Sequence, residues 1–266
     1  MRKQRNGDAI ILNSKKICIF GNDKRMKYLC PLFQEAGCLA DHFQSIHEDE
    51  IPKADIYVFP VGTETSTINK FIEKNPNSLF FVGNSVINNK NVFDYFKDEA
   101  VTIKNTIPTA EGTIAMAINE TEETLFGSRC LILGYGKVAK TLSSYLGCFG
   151  AKVTIAARKE TDRVLAAINS FNTIELNELI NNVENFDIII NTIPAKVIDS
   201  SILKRIRNES LIIDLASKPG GVDFKEAETL GKKVIWALGL PGKVAPKTAA
   251  EYIFKYIIET IYERDK

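Results

Sequence analysis

The chain has 266 residues, a formal net charge of +1, 45% hydrophobic and 25% charged residues, which is the make-up of a globular protein of about two domains. That balance excludes a global electrostatic field for nucleic acid or a membrane surface, so an anionic ligand must be met by local cations. The five cysteines are scattered without a CxxC pair, which predicts buried free thiols and a reducing, cytoplasmic setting in place of a disulfide framework.

Residues 1–14 hold charges around one short apolar run, 9–12, too short for a signal peptide or membrane helix, and read as an extension. Lys16–Phe20 (KICIF) is the first predicted strand, followed by a turn over 21–25 (GNDKR) in which Asn22 tolerates a left-handed conformation. Residues 26–36 place Met26, Tyr28, Leu29, Leu32, Phe33 and Ala36 near helical spacing, with a kink or a division into two short helices predicted at Pro31. Residues 55–60 and 79–82 read as strands separated by a helix over 66–73; 92–96 reads as a short helix and 101–104 as a strand. His42 and His47 fall in what reads as a polar loop. Alternating strands and helices predict a mostly parallel sheet. A longer helix is predicted over 109–126, with Thr109 as its N-cap, Glu111 and Gly112 in its first turn and Gly127 at its end.

Residues 129–159, RCLILGYGKVAKTLSSYLGCFGAKVTIAARK, organise the second half. They read as strand, glycine turn, helix and strand. In the GxGxxA turn, Gly134 permits the tight bend, Gly136 lets a pyrophosphate approach the backbone, and Ala139 lets the helix pack on the strand. The helix start, with Tyr135, Lys137 and Val138 around it, then offers N–H groups to the phosphates. A carboxylate that would bind a ribose 2′-OH is missing at the end of the second strand, where Ala157, Arg158 and Lys159 stand before Glu160. Two cations there suit a 2′-phosphate and favour NADP over NAD; a solvated basic loop is the competing reading.

Helices are predicted over 162–170, 176–182, 202–206 and 224–230, and strands over 173–175, 186–191, 211–214 and 234–238. The strand ends form a polar, glycine-rich rim, where ligands of a doubly wound sheet collect. Thr192 offers a hydroxyl, and Ile193 and Pro194 an apolar wall for the nicotinamide end. Ala216, Ser217 and Lys218 sit in the loop after Asp214, and Leu240 and Pro241 in the loop after the last strand. Thr109, Gly112 and Thr113 at the predicted helix start are a seat for a carboxylate ligand, and Glu111 is either part of that site or a first-turn acid. The last helix starts near Pro246, with Ala250, Ile253, Phe254, Ile257, Ile258 and Ile261 as its stripe, Glu251 and Lys255 as an i,i+4 pair, and Lys243 and Lys247 flanking its start. The expected organisation is an extension (1–14), a substrate or partner domain (15–108), a connecting helix (109–127), an NADP-binding Rossmann domain (128–245) and a C-terminal helix (246–266) that returns to the first domain, with the ligand cleft between the two domains.

Five stretches, 105–113 (NTIPTAEGT), 134–139 (GYGKVA), 190–194 (INTIP), 214–224 (DLASKPGGVDF) and 239–249 (GLPGKVAPKTA), resemble the dipicolinate synthase A-subunit family, from about residue 16 to the C-terminus. The layout resembles, more distantly, folate dehydrogenases and alanine dehydrogenase. The turn over 21–25 departs from the Gly-Gly-Asp of that family. The resemblance implies two Rossmann-like domains joined by long helices and NADP-linked oxidation of dihydrodipicolinate to dipicolinate. It also implies the mother cell of a sporulating bacterium and a flavoprotein-like B partner, with a homo-oligomer expected and no metal. Lys218, Ser217 and Glu111 are then the catalytic candidates, with Thr109, Gly112, Thr113, Lys243 and Lys247 on the dicarboxylate. A non-catalytic NADP-binding scaffold and a dehydrogenase for another small amino or keto acid are the alternatives.

Overall fold

Both sheets of the protein are wholly parallel, as the alternation of strands and helices predicts. The computed structural model describes residues 14–47 and 50–264; the expected extension lies, but for Ser14, outside the described residues. The chain divides into two units, the first running to Asn105 and resuming at Pro241, the second spanning Thr106–Leu240.

The first unit holds β1 (Lys16–Phe20), β2 (Leu39–Phe43), β3 (Ile56–Val61), β4 (Leu79–Gly83) and β5 (Val92–Asp94), in the order β2-β1-β3-β4-β5. Before Asn105 its helices are α1 (Lys24–Glu35), α2 (Thr65–Lys74) and α3 (Glu99–Lys104). The second unit begins with α4 (Thr106–Glu120) and continues through β6 (Arg129–Leu133), α5 (Lys137–Cys148), β7 (Lys152–Ala157), α6 (Glu160–Ile168), β8 (Asn172–Glu175) and β9 (Ile188–Asn191). β10 (Leu211–Asp214) and β11 (Lys233–Trp236) complete a six-stranded sheet in the order β11-β10-β9-β6-β7-β8. Sequence order reverses between β6 and β9, the switch point outside which doubly wound sheets bind ligands.

Period-two alternation divides the second unit's core. Cys130, Ile132, Ile155, Ile190 and Ile213 pack on one face of the sheet, while Leu131, Leu133, Ala156, Ile189 and Ile212 pack on the other. In the first unit Ile17, Ile19, Met26, Leu29 and Phe33 cluster with Ala250, Ile253, Ile257 and Ile261 of the C-terminal helix, Pro246–Arg264. Each of these side chains is buried. Lys255 sits 3.6 Å from Glu259 and not in the predicted pair with Glu251. Cys18, Cys38 and Cys130 are buried, whereas Cys148 is exposed. Among the described residues, no helix is long and apolar enough to cross a membrane.

Several predicted elements change type. Residues 39–43 are a strand and not a loop: β2 is an edge strand in which only Ala40 is buried, so its sequence LADHF carries no apolar alternation. His42 therefore lies in a strand, with Nε2 2.9 Å from the Gly21 carbonyl. Residues 92–94 pair with β4 as an edge strand and do not form the predicted helix. The predicted strand over 101–104 is part of helix α3, because Asp98 caps it by accepting from Val101 N at 2.7 Å. Pro31 lies inside α1 without ending it. The left-handed position of the first turn is Gly21, φ +100°, and not Asn22.

Asp187 ties the lower ends of three segments together. It accepts from Arg129 N at 2.8 Å and Arg129 Nη2 at 2.8 Å, and from Arg207 Nη2 at 2.5 Å. The hydrogen bonds from Arg129, reinforced by Arg207, hold its carboxyl down from 3.8 to about 2 against a smaller burial effect. A depressed carboxyl stabilises the fold above its unfolded value and loses that contribution as pH falls toward the folded value. Asp187→Asn is expected to lower unfolding free energy at pH 7 by about 1–2 kcal/mol, allowing for partial exposure. In urea titrations, the gap from wild type should narrow between pH 4 and pH 2; an equal gap at both ends would contradict this role.

Candidate functional site

The C-terminal edge of the second sheet is built around the turn between β6 and α5. Gly134 has φ +90°, and a Cβ there would meet Thr192 Oγ1 at 2.8 Å and Ile193 Cγ1 at 3.0 Å. This glycine therefore serves both the left-handed bend and the approach of the neighbouring loop. Gly136 differs: its φ of −78° is ordinary, it is exposed, and a Cβ added to it would meet nothing within 4 Å. It is the N-cap of α5, and no side chain caps that helix start. Open space over an uncapped helix N-terminus leaves its N–H groups available to an anion such as a pyrophosphate. Ala139 is fully buried against the sheet. Lys137 is exposed and Val138 half-buried.

Tyr135 turns inward. Its ring belongs to the core beneath the turn, and burial pushes its phenol upward. The Lys140 ammonium lies 5.6 Å from the ring centroid. Ala157 is buried at the end of β7, while Arg158 and Lys159 are exposed beyond it. Arg163 of α6 reaches back to this strand end, donating from Nη1 to the Ala157 carbonyl at 2.8 Å and the Arg158 carbonyl at 2.9 Å.

Beyond β9 and β10, the loops are organised by two fully buried polar side chains, Asn191 and Asp214, which are opposite each other in the parallel register. Asn191 Nδ2 donates to Asp214 Oδ1 at 2.8 Å and to the Ile193 carbonyl at 3.0 Å, while Asn191 Oδ1 accepts from Ile193 N at 3.0 Å. Asp214 accepts from Ala216 N at 3.0 Å and Gly221 N at 2.7 Å, so one carboxylate closes both ends of the 215–221 loop. A Cβ on Gly221 would run into Asn191 Nδ2. Trp236 Nε1 donates to the Ala216 carbonyl at 2.9 Å, and its ring stacks on Phe224 at 4.8 Å. Ser217 and Lys218 are exposed on this braced loop, whereas Ala216 is buried.

The predicted residues fall into two sets. The second unit brings Gly134, Gly136, Lys137, Val138, Ala157, Arg158, Lys159, Thr192, Ile193, Pro194, Ser217 and Lys218 to one edge of one sheet. Thr192 donates its hydroxyl to the Leu133 carbonyl at 2.7 Å, so that proton is already engaged and the hydroxyl could meet a ligand only as an acceptor. Leu240, which is buried in the second unit's core, and Pro241, also buried, offer little surface. Lys243 and Lys247 are exposed in the first unit.

The expected seat at Thr109–Thr113 is corrected. The helix begins at Thr106 and ends at Glu120, so Thr109, Glu111, Gly112 and Thr113 are not its opening residues. Pro108 is accommodated in the first turn, where its missing N–H costs nothing. Thr113 is fully buried and donates to the Thr109 carbonyl at 2.8 Å, and Gly112 is buried; Glu111 alone of the four is exposed. Thr106 Oγ1 lies 2.7 Å from Thr141 Oγ1 of α5, pinning the true helix start to the helix of the glycine turn.

Asn191, Asp214, Trp236 and Arg163 carry roles that the linear reading did not give them. A signal existed for two of them: a polar residue closing an otherwise apolar strand, just before a loop, marks a loop anchor. Asp23 similarly closes the first turn by pairing with Arg25, whose side chain is buried; this outweighs the burial penalty on the carboxyl and lowers its pKa.

A family model for the NAD-binding domain of S-adenosyl-L-homocysteine hydrolase matches residues 106–237. The dipicolinate synthase A-subunit of Bacillus subtilis (strain 168) is 40% identical over 173 residues, 63% of this chain; the match spans 57% of the length of that relative. The crystal structure of the dipicolinate synthase A-subunit from Bacillus halodurans superposes with a TM-score of 0.82 at 28% identity, over 94% of this chain and 98% of that one. The corresponding crystal structure from Bacillus subtilis superposes with a TM-score of 0.80 at 28% identity, over 95% and 97%. The second unit is an NAD(P)-binding Rossmann domain.

Two glycine substitutions separate the fold from the binding surface. Gly134→Ala should cost about 1–3 kcal/mol in a urea titration, from the left-handed backbone and the contact with Thr192. Gly136→Ser keeps a capping residue at an open position, so its stability should stay within about 0.5 kcal/mol of wild type. Calorimetric titration of Gly136→Ser with NADP should nevertheless show affinity lowered at least tenfold; unchanged affinity would move the pyrophosphate away from this turn.

Proposed function

We propose that this chain, a homologue of the dipicolinate synthase A-subunit, is the NADP-linked oxidoreductase component that makes dipicolinate from dihydrodipicolinate. The observation that carries the cofactor choice is the end of β7. There Arg158 and Lys159 stand exposed beside the glycine turn, with no carboxylate between the strand and Glu160 to bind a 2′-OH. A guanidinium with a planar fork suits a phosphate ester, and among the described residues neither cation is held in an ion pair.

NADP, when bound, supplies the hydride acceptor. The protein's part is orientation. The uncapped start of α5 takes the pyrophosphate, Ile193 and Pro194 give the nicotinamide an apolar wall, and the 215–221 loop presents Ser217 and Lys218 to a substrate carboxylate. The hydride leaves a ring carbon and a ring proton is lost as aromaticity forms, so the step does not depend on a strong base. The relative is named as one subunit of its enzyme, which supports a second subunit; we take that partner to be the flavoprotein-like B subunit and place the pair in the cytoplasm of a sporulating mother cell.

A second reading, a non-catalytic NADP-binding subunit, is favoured by one observation: both histidines lie in the first unit, outside the Rossmann domain. The two readings separate when this chain, the B partner and their mixture are each assayed with dihydrodipicolinate and NADP. NADP-dependent dipicolinate formation by this chain or by the mixture, with none from the B partner alone, is the expected result. Arg158→Ala should then cut the NADP-over-NAD preference in kcat/KM by about tenfold. Full activity from the B partner alone would contradict the catalytic assignment.

A further inference from the structure

We infer that Arg163 is a cofactor-specificity residue: a second guanidinium for the 2′-phosphate, anchored to the strand end that carries Arg158. This rests on the NADP reading above and adds to it a residue that the strand-end sequence does not reveal, since Arg163 lies within helix α6.

Three observations converge. First, Arg163 is half-buried, and its Nη1 bridges the carbonyls of Ala157 and Arg158 at 2.8 and 2.9 Å. A guanidinium fixed by one nitrogen has lost most of its rotamer freedom, so holding an anion with the rest of its fork costs little further entropy. Second, the anchor lies at the glycine turn: Gly134 N donates to the carbonyl of Ala156, the residue before Ala157, at 2.8 Å. The ribose of a dinucleotide whose pyrophosphate sits on that turn falls at this strand end. Third, the charge is unanswered. Glu160 and Asp162 lie in the first turn of α6, yet among the described residues neither they nor any other carboxylate forms an ion pair with Arg158, Lys159 or Arg163. Three cations within six residues, one of them locked to backbone carbonyls, make an anion site and a poor site for a neutral 2′-OH.

The competing role for Arg163 is a purely structural clasp on two carbonyls. Arg163→Gln separates the two, because its amide still donates to a carbonyl while the charge is gone. The test is calorimetric titration of wild type, Arg163→Gln and Arg163→Lys with NADP, NAD, 2′,5′-ADP and 5′-ADP. The expected result for Arg163→Gln is at least a tenfold loss of affinity for NADP and 2′,5′-ADP, with NAD and 5′-ADP changed less than twofold. Arg163→Lys should recover part of the loss and steepen the salt dependence of what remains. Equal losses for all four ligands, or no loss for any, would overturn the specificity role. Wild-type protein that binds NAD as well as NADP would overturn the NADP reading itself, whereas a wild-type preference for NADP that survives intact in Arg163→Gln would overturn only the inference.

Discussion

Between Leu133 and Lys137 the chain leaves the sheet and enters a helix, and the rest of the ligand edge is fitted around that reversal. The bend needs a left-handed residue, and Gly134 supplies it. Because Gly134 lacks a side chain, Thr192 and Ile193 can close on it from the next strand. That approach is held by Asn191, whose amide is satisfied by Ile193 on one side and Asp214 on the other. Asp214 in turn gathers both ends of the loop that exposes Ser217 and Lys218. Glycine turn, apolar wall and cationic loop are thus one hydrogen-bonded assembly, in which each buried polar group has its partner.

This assembly decides shape; in the function we propose, the charges beyond β7 decide which dinucleotide it suits. A net charge of +1 leaves the chain no long-range attraction for an anion, so discrimination rests on contacts made within a few ångströms. Arg158 and Lys159 are exposed, so ordering their long side chains on a 2′-phosphate costs part of the selectivity they give. Arg163 differs because two carbonyls fix it. Preorganisation of that kind makes one charge count for more than an exposed one.

Much of this was legible in the sequence, for physical reasons that differ by element. The four inner strands of the second sheet are buried on both faces and read as apolar runs, so β6, β7, β9 and β10 stand out. The glycine spacing and the missing carboxylate are local chemistry and need no tertiary knowledge. Edge strands were opaque: in β2 only Ala40 is buried, and β5 is three residues long. Residues 101–104, Val-Thr-Ile-Lys, carry β-branched side chains that point to a strand, but the Asp98 cap wins and makes a helix. The start of α4 was misplaced because Pro108 looks like a boundary when it is a first-turn residue. The braces were invisible for a different reason: Asn191 to Asp214 and Arg163 to Ala157 depend on register and on a helix folding back, which linear spacing does not encode.

The central claim is that the uncapped start of α5 and the cationic end of β7 hold the two ends of one NADP molecule. A crystal structure with NADP bound tests it most directly. The account predicts pyrophosphate density over Gly136 at the start of α5 and 2′-phosphate density within hydrogen-bonding distance of Arg158. Density for the dinucleotide elsewhere, or a ribose at this strand end with its phosphate turned away from Arg158, would contradict it.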